Sequence, residues 1–270
     1  MPRAYREAAR PMIEYRRLYK RFDAPVLAGV DLVVGTGETM AIVGPSGCGK
    51  SVLLKSTIGL VEPDSGDVFI DGESVFQAAP RDLRRILGKV GYVFQNAALF
   101  DSLDVYANVA MGVRPAEARS LSAAEMSRRV ARALEDVNLD PAAVLGKLPA
   151  ELSGGMRKRV GLARAIVGRP QIVLYDEPVT GLDPVNSAAV ARLIGEIAGR
   201  MGATTVMVTH DVEGALAVCD RIALLHAGRL RFVGPPEEFR RNPDPLVRAF
   251  ADRNAAATVA LRALEPAVAS

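Results

Sequence analysis

The hydrophobic and polar pattern over positions 12–19, 30–34 and 39–43 alternates like that of strands. Gly35-Thr36-Gly37 reads as the turn between the second and third of these. Residues 50–60 switch to helical spacing, with Leu53, Leu54 and Ile58 on one side. A short strand at 68–70 runs into an Asp71-Gly72 turn, and 90–94 reads as a buried strand. From 96 to 164 alanine, arginine and glutamate take over and strand signals vanish. Within that stretch 122–137 is an amphipathic helix, opened by Ser122 and Glu125 as a capping box. The alternating pattern then resumes: strand 172–175, helix 184–200, strand 204–208, and two short strands at 222–225 and 230–233. Such alternation predicts a mostly parallel sheet with helices on its faces, interrupted by a helical insert. After Pro235-Pro236 come a short helix and Asn242-Pro243-Asp244-Pro245, and the Ala-rich end reads as an extension outside the core.

Composition narrows the class. The 270 residues suffice for one large domain with an inserted subdomain, and 49% apolar with 24% charged residues is ordinary for a globular protein. No stretch approaches the roughly 20 consecutive apolar residues of a membrane span, and the start Met1-Pro2-Arg3-Ala4-Tyr5 has no apolar h-region. Any membrane role is therefore expected to go through a partner. A net charge of +3, no Trp and 5% aromatics argue against a nucleic-acid partner. The run Arg157-Lys158-Arg159 reads as a solvated helix face. Cys48 and Cys219 lie far apart and outside any metal-ligand spacing, as expected of free thiols in a reducing cytoplasm.

The first motif is Gly44-Pro45-Ser46-Gly47-Cys48-Gly49-Lys50-Ser51, which fits G-x-x-x-x-G-K-[ST] between a strand and a helix. Its glycines let backbone amides turn toward phosphates, Lys50 offers a point charge, and the Ser51 hydroxyl suits Mg²⁺. The second is the strand ending in Asp176 and Glu177, which puts both carboxylates at the carboxyl edge of the sheet, where open α/β folds bind ligands. Asp176 is the candidate Mg²⁺ carboxylate, and Glu177 is then free to polarise an attacking water. His210 follows a strand expected beside that of Asp176, in reach of a terminal phosphate. Gln95, at the junction of strand and insert, is placed to sense Mg²⁺ or the water. The third is Leu152-Ser153-Gly154-Gly155-Met156, a turn opening a helix whose first amides are unpaired donors. One chain then carries two anion-binding turns, and the second, Ser153-Gly154-Gly155, is free to serve the nucleotide of another subunit.

Together, in this order, these motifs resemble an ABC-transporter nucleotide-binding subunit over residues 12–240, with the insert at about 96–164 and 241–270 as a C-terminal extension. The resemblance implies an α/β fold: a P-loop NTPase (RecA-like) core with an N-terminal antiparallel β subdomain and an inserted α-helical signature subdomain. It implies ATP and Mg²⁺, with ATP contacted by the loop from Gly44 to Val52 and by Phe22 stacking on adenine. It further implies a head-to-tail homodimer, a D-loop at Gly181-Leu182-Asp183-Pro184, and a membrane permease that holds the chain peripherally on the inner face of the cell membrane. Val52 stands where most relatives carry a second hydroxyl, and Met156 where most importers carry Gln. These features, the Lys50-to-Leu54 and Ala98-to-Leu103 segments and the Asn-Pro-Asp-Pro tail are similar to the ATPases of Mla/Mce lipid-transport systems. In that group the partners are a permease, an MCE-domain substrate binder and often a STAS-domain protein, and the permease would dock near residues 97–103. An amino-acid or other small-solute importer is the alternative, and a soluble ABC protein acting on nucleic acid or ribosomes a more distant one. Alkylation of Cys48 is expected to block ATP binding.

Overall fold

A computed structural model describes residues 10–252. The alternating N-terminal segments form β1 (Pro11–Arg21) and β2 (Pro25–Gly35), followed by β3 (Thr39–Val43) and α1 (Lys50–Thr57). Next come β4 (Ser65–Ile70), β5 (Glu73–Ser74), α2 (Pro80–Leu87) and β6 (Val90–Val93). The insert is helical as expected: α3 (Val105–Ala110), α4 (Pro115–Ala118), α5 (Ala123–Asp136), α6 (Pro141–Val144), a single 3-10 turn and α7 (Gly154–Ile166). The chain continues through β7 (Ile172–Asp176), α8 (Pro184–Met201), β8 (Thr204–Val208), α9 (Val212–Val218), β9 (Arg221–His226) and β10 (Arg229–Gly234). It ends in α10 (Pro236–Arg240) and α11 (Pro245–Ala251).

These strands build two sheets. An antiparallel sheet has the order β2-β1-β4-β5, and a six-stranded sheet has the order β10-β9-β3-β8-β7-β6. All pairs of the second are parallel except the β9–β10 hairpin at its edge. Its central strands β3, β7 and β8 are buried on both faces, and successive side chains feed two cores. Met40, Ile42, Ile172, Leu174, Val206 and Val208 point into a core shared with α1 and the antiparallel sheet. Ala41, Val43, Val173, Tyr175 and Met207 point the other way, into a core shared with the insert, α8 and α9.

The capping box of α5 forms as the sequence predicts, with Ser122 and Glu125 each bonding the other's backbone amide. The tail departs from expectation. Asn242-Pro243-Asp244-Pro245 is a helix start rather than the end of the fold: Asp244 Oδ1 caps the Leu246 amide (2.8 Å), and Pro245 takes the first helical position. α11 buries Leu246 and Val247 in the same core as Phe239, so the packed chain runs past residue 240. The closing Ala-rich residues lie outside the described residues.

Candidate active site

β3 delivers the chain into the loop 44–49 at the carboxyl end of the parallel sheet. α1 starts from Gly49 at φ 105°, with no side-chain cap hydrogen bond at its first turn. Two glycines are required by close approach as well as by φ. A Cβ on Gly44 would lie 2.1 Å from the Leu225 carbonyl oxygen, and one on Gly49 2.8 Å from that of Val26. Lys50 is 6% exposed and curls back over the loop, donating from Nζ to the carbonyls of Gly44 (2.9 Å) and Pro45 (3.0 Å). Ser46 and Gly47 are exposed at the loop tip, whereas Val52 is half-buried against the core below. Cys48 is buried, and burial pushes its thiol pKa up against the opposing pull of Lys50. Its thiolate is scarce at neutral pH, so the expected alkylation is slow.

The two carboxylates end β7 as predicted. Asp176 is 4% exposed and both its oxygens are engaged: Ser51 Oγ donates to Oδ1 (2.7 Å) and Tyr92 Oη to Oδ2 (3.0 Å). Glu177 stands just beyond the strand at φ 50°, a left-handed conformation that costs a non-glycine residue about 1–2 kcal/mol. Its amide extends the β7–β8 ladder by donating to the Val208 carbonyl (2.9 Å). Its side chain is gathered by neighbours on both oxygens. Oε1 lies 3.8 Å from Lys50 Nζ, while Oε2 lies 2.7 Å from His210 Nδ1 and accepts from the Thr180 hydroxyl (3.3 Å). An ionised carboxylate can only accept, so Nδ1 carries the shared proton and Nε2 is left for another partner. The β7–β8 pairing, with Asp176 opposite Val208, brings His210 to this edge as anticipated.

Lys50, Ser51, Asp176, Glu177 and His210 therefore converge. Gln95 sits in the turn after β6, which pairs with β7 through Val93 and Tyr175, but it is exposed and takes no part in the hydrogen bonds of the cluster. Phe22 projects from the β1–β2 turn, 57% exposed, with Lys20 Nζ 5.4 Å from its ring centre. Ser153 caps α7 by accepting from the Met156 amide (3.2 Å), which leaves Gly154 and Gly155 amides at an accessible helix end. Asp183 caps α8, accepting from the amides of Val185 and Asn186 (both 3.0 Å); these bonds hold its carboxyl below the usual range.

Two contacts went unread in the sequence. Tyr92 faces Asp176 only because β6 and β7 are neighbours, a pairing that no local pattern announces. The basic run 157–159 is solvated only in part: Arg157 is exposed yet bonds the Leu152 carbonyl (2.6 Å), Lys158 turns in to those of Pro178 and Thr180, and Arg159 bonds that of Asn138 (3.2 Å).

The donor set fits the expected cation. Ser51 Oγ and the Asp176 carboxylate are hard oxygen ligands at one point, and Mg²⁺ takes few protein oxygens while keeping its own waters. Residues 27–180 match the family model described as ABC transporter. The chain is 39% identical over 245 residues to the probable ribonucleotide transport ATP-binding protein mkl of Mycobacterium tuberculosis H37Rv, covering 88% of this chain and 66% of that protein. It thus spans just under two thirds of that relative's length. It is 40% identical over 245 residues to the methionine import ATP-binding protein MetN of Xanthomonas campestris, covering 88% of this chain and 72% of that one. Among solved structures, a dimeric post-hydrolysis state of the ATP-binding cassette MJ0796 bound to ADP and Pi superposes with a TM-score of 0.74. The two are 30% identical, with 83% of this chain and 99% of that one covered. Motif order, site geometry and these likenesses converge: the chain belongs to the ABC transporter family.

Proposed function

We propose that this chain is the ATP-hydrolysing subunit of a membrane transporter that moves phospholipid or a related hydrophobic molecule. The hydrolytic part rests on one observation, the convergence of Lys50, Ser51, Asp176, Glu177 and His210 at a single sheet edge. ATP is the substrate and Mg²⁺ the cofactor of this reading. The backbone amides of the 44–52 loop and Lys50 hold the phosphates. Ser51 and Asp176 would hold Mg²⁺, which when bound offsets phosphate charge; Gln95 stands ready at the rim. Glu177 takes the proton of the attacking water, and His210 fixes that carboxylate through Nδ1; a contact from Nε2 to the terminal phosphate requires the doubly protonated ring, in which both nitrogens donate. Phe22 stacks on adenine. Ser153, Gly154 and Gly155 present their helix end to the ATP of a second copy, with Asp183 beside the shared interface, so the working unit is a head-to-tail homodimer of the domain that starts at residue 12, with its 96–164 insert.

Replacing Glu177 by Gln keeps the shape and removes the base. The expected result is loss of steady-state hydrolysis by about 10²-fold or more, with a stable ATP-bound dimer appearing in size-exclusion chromatography. Hydrolysis at the parent rate would overturn the role given to Glu177.

For the cargo, the support is in the sequence: Met156 and Lys158 after the signature glycines, the Leu99-Phe100 pair and the Asn242-Pro243-Asp244-Pro245 segment. This reading places the chain on the inner face of the cell membrane, held by a permease that docks near residues 97–103. An MCE-domain substrate binder and a STAS-domain protein complete the set. Relatives named for methionine import and for sulfate/thiosulfate import, 39–41% identical, favour a second reading as a small-solute importer.

A further inference from the structure

Lys158 lies one turn into α7, the helix opened by Ser153, yet its ammonium serves a different part of the site. Nζ donates to the carbonyl oxygens of Pro178 (3.0 Å) and Thr180, in the loop that joins β7 to α8. Three donors on a compact cation suit two neighbouring carbonyls, which offer no charge of their own. The charge that compensates the cation is Glu177: burial lowers the Lys158 pKa, and the Glu177 carboxylate opposes that fall. Thr180 closes the connection. Its amide donates to the Glu177 carbonyl (3.3 Å) and its hydroxyl to Glu177 Oε2 (3.3 Å). Glu177 meanwhile holds a left-handed backbone conformation that an unrestrained chain would leave, so something must keep residues 177–180 in place.

We infer that Lys158 is the positioning residue that pins the 178–180 segment and, through Thr180, aims the Glu177 carboxylate. The inference rests on the reading of Glu177 as the base. It gives α7 two duties within one chain. The first turn faces a partner's nucleotide, and the second sets the group that acts on the chain's own nucleotide.

The test compares Lys158→Met, which keeps length and loses the cation, with Lys158→Arg, which keeps a cation able to reach both carbonyls. Both are made in the full chain, with Glu177→Gln as control. Steady-state ATP hydrolysis, calorimetric ADP affinity and hydrogen exchange of amides 179–182 are measured. For Lys158→Met, kcat is expected to fall about tenfold. KM and ADP affinity are expected to stay within about twofold, because the change touches the base rather than the phosphate loop. Amides 179–182 are expected to exchange faster, and Lys158→Arg to retain most of the parent kcat. An unchanged kcat in Lys158→Met overturns the inference. So does a kcat loss matched by an equal loss of ADP affinity, or one equally large in both variants. If Glu177→Gln hydrolyses ATP at the parent rate, the base assignment fails, whatever the Lys158 variants do.

Discussion

Tyr92 and Tyr175 stand on paired strands, and their hydroxyls have opposite fortunes. Tyr92 Oη donates to Asp176, and burial together with that carboxylate pushes the phenol's pKa up, so it stays a donor at every physiological pH. Tyr175 is fully buried and its hydroxyl has no partner among the described residues. An orphaned hydroxyl forfeits stability, whereas one bonded to a carboxylate supplies orientation. Tyr92→Phe keeps the ring packed 4.5 Å from Phe94 and frees Asp176 Oδ2. The expected outcome is a gain in ADP affinity on adding Mg²⁺ about tenfold smaller than in the parent, with metal-free ADP affinity unchanged, read by calorimetry. An equal Mg²⁺-linked gain in both proteins would show that the phenol does not orient Asp176. At this scale the sequence told most about groups whose chemistry is local. The 44–51 loop, the Asp176-Glu177 pair and the Ser153 turn are each contiguous, so a short window of sequence contains them. Tyr92 and Lys158 act across the chain, and neither spacing nor residue type reveals a partner 84 or 20 positions away.

Among the elements, the segment from Gln95 to Asp104 shows how irregular backbone is held without regular structure. Ala97 and Ala98 are both left-handed, and Arg164 of α7 bonds their carbonyls at 2.5 and 2.7 Å. Asn108 of α3 is fully buried and does the rest. Its Oδ1 accepts from the Phe100 amide (2.8 Å), and Nδ2 faces the carbonyls of Phe100, Leu103 and Asp104 at 2.8–3.1 Å. Asn108→Ala strands those main-chain groups, and a loss of about 1–3 kcal/mol is expected in chemical denaturation. Faster hydrogen exchange confined to 99–104 would accompany it; unchanged stability would mean that water replaces the amide. Regular elements were legible where their signals were strong. The box at Ser122 and Glu125 marked α5, and β3 and β8 have the bounds read for them, 39–43 and 204–208. α2 went unread because it is only eight residues long, although Leu83, Ile86 and Leu87 keep helical spacing. α11 was concealed by Pro243 and Pro245, which together look like a break, although Pro245 takes the first helical position.

Across the whole molecule, alternation of strands and helices gave the parallel sheet, but the stacking of the antiparallel sheet over α1 comes from tertiary contacts that no window of sequence contains. The cargo is decided at this scale too, by what the assembled dimer grips. Crosslinking in membranes, followed by identification of the bound subunits, is expected to yield a permease with an MCE-domain protein. Recovery of a permease with a soluble solute-binding protein would instead establish the importer reading. The loop 44–49 is pinched between the Leu225 carbonyl from the parallel sheet and the Val26 carbonyl from the antiparallel one, and Ala28 bonds the Gly228 carbonyl alongside at 2.9 Å. Neither sheet can form this loop alone. The phosphate-binding surface thus comes into being only when both halves have met, so a bound nucleotide rewards the finished assembly and no fragment of it.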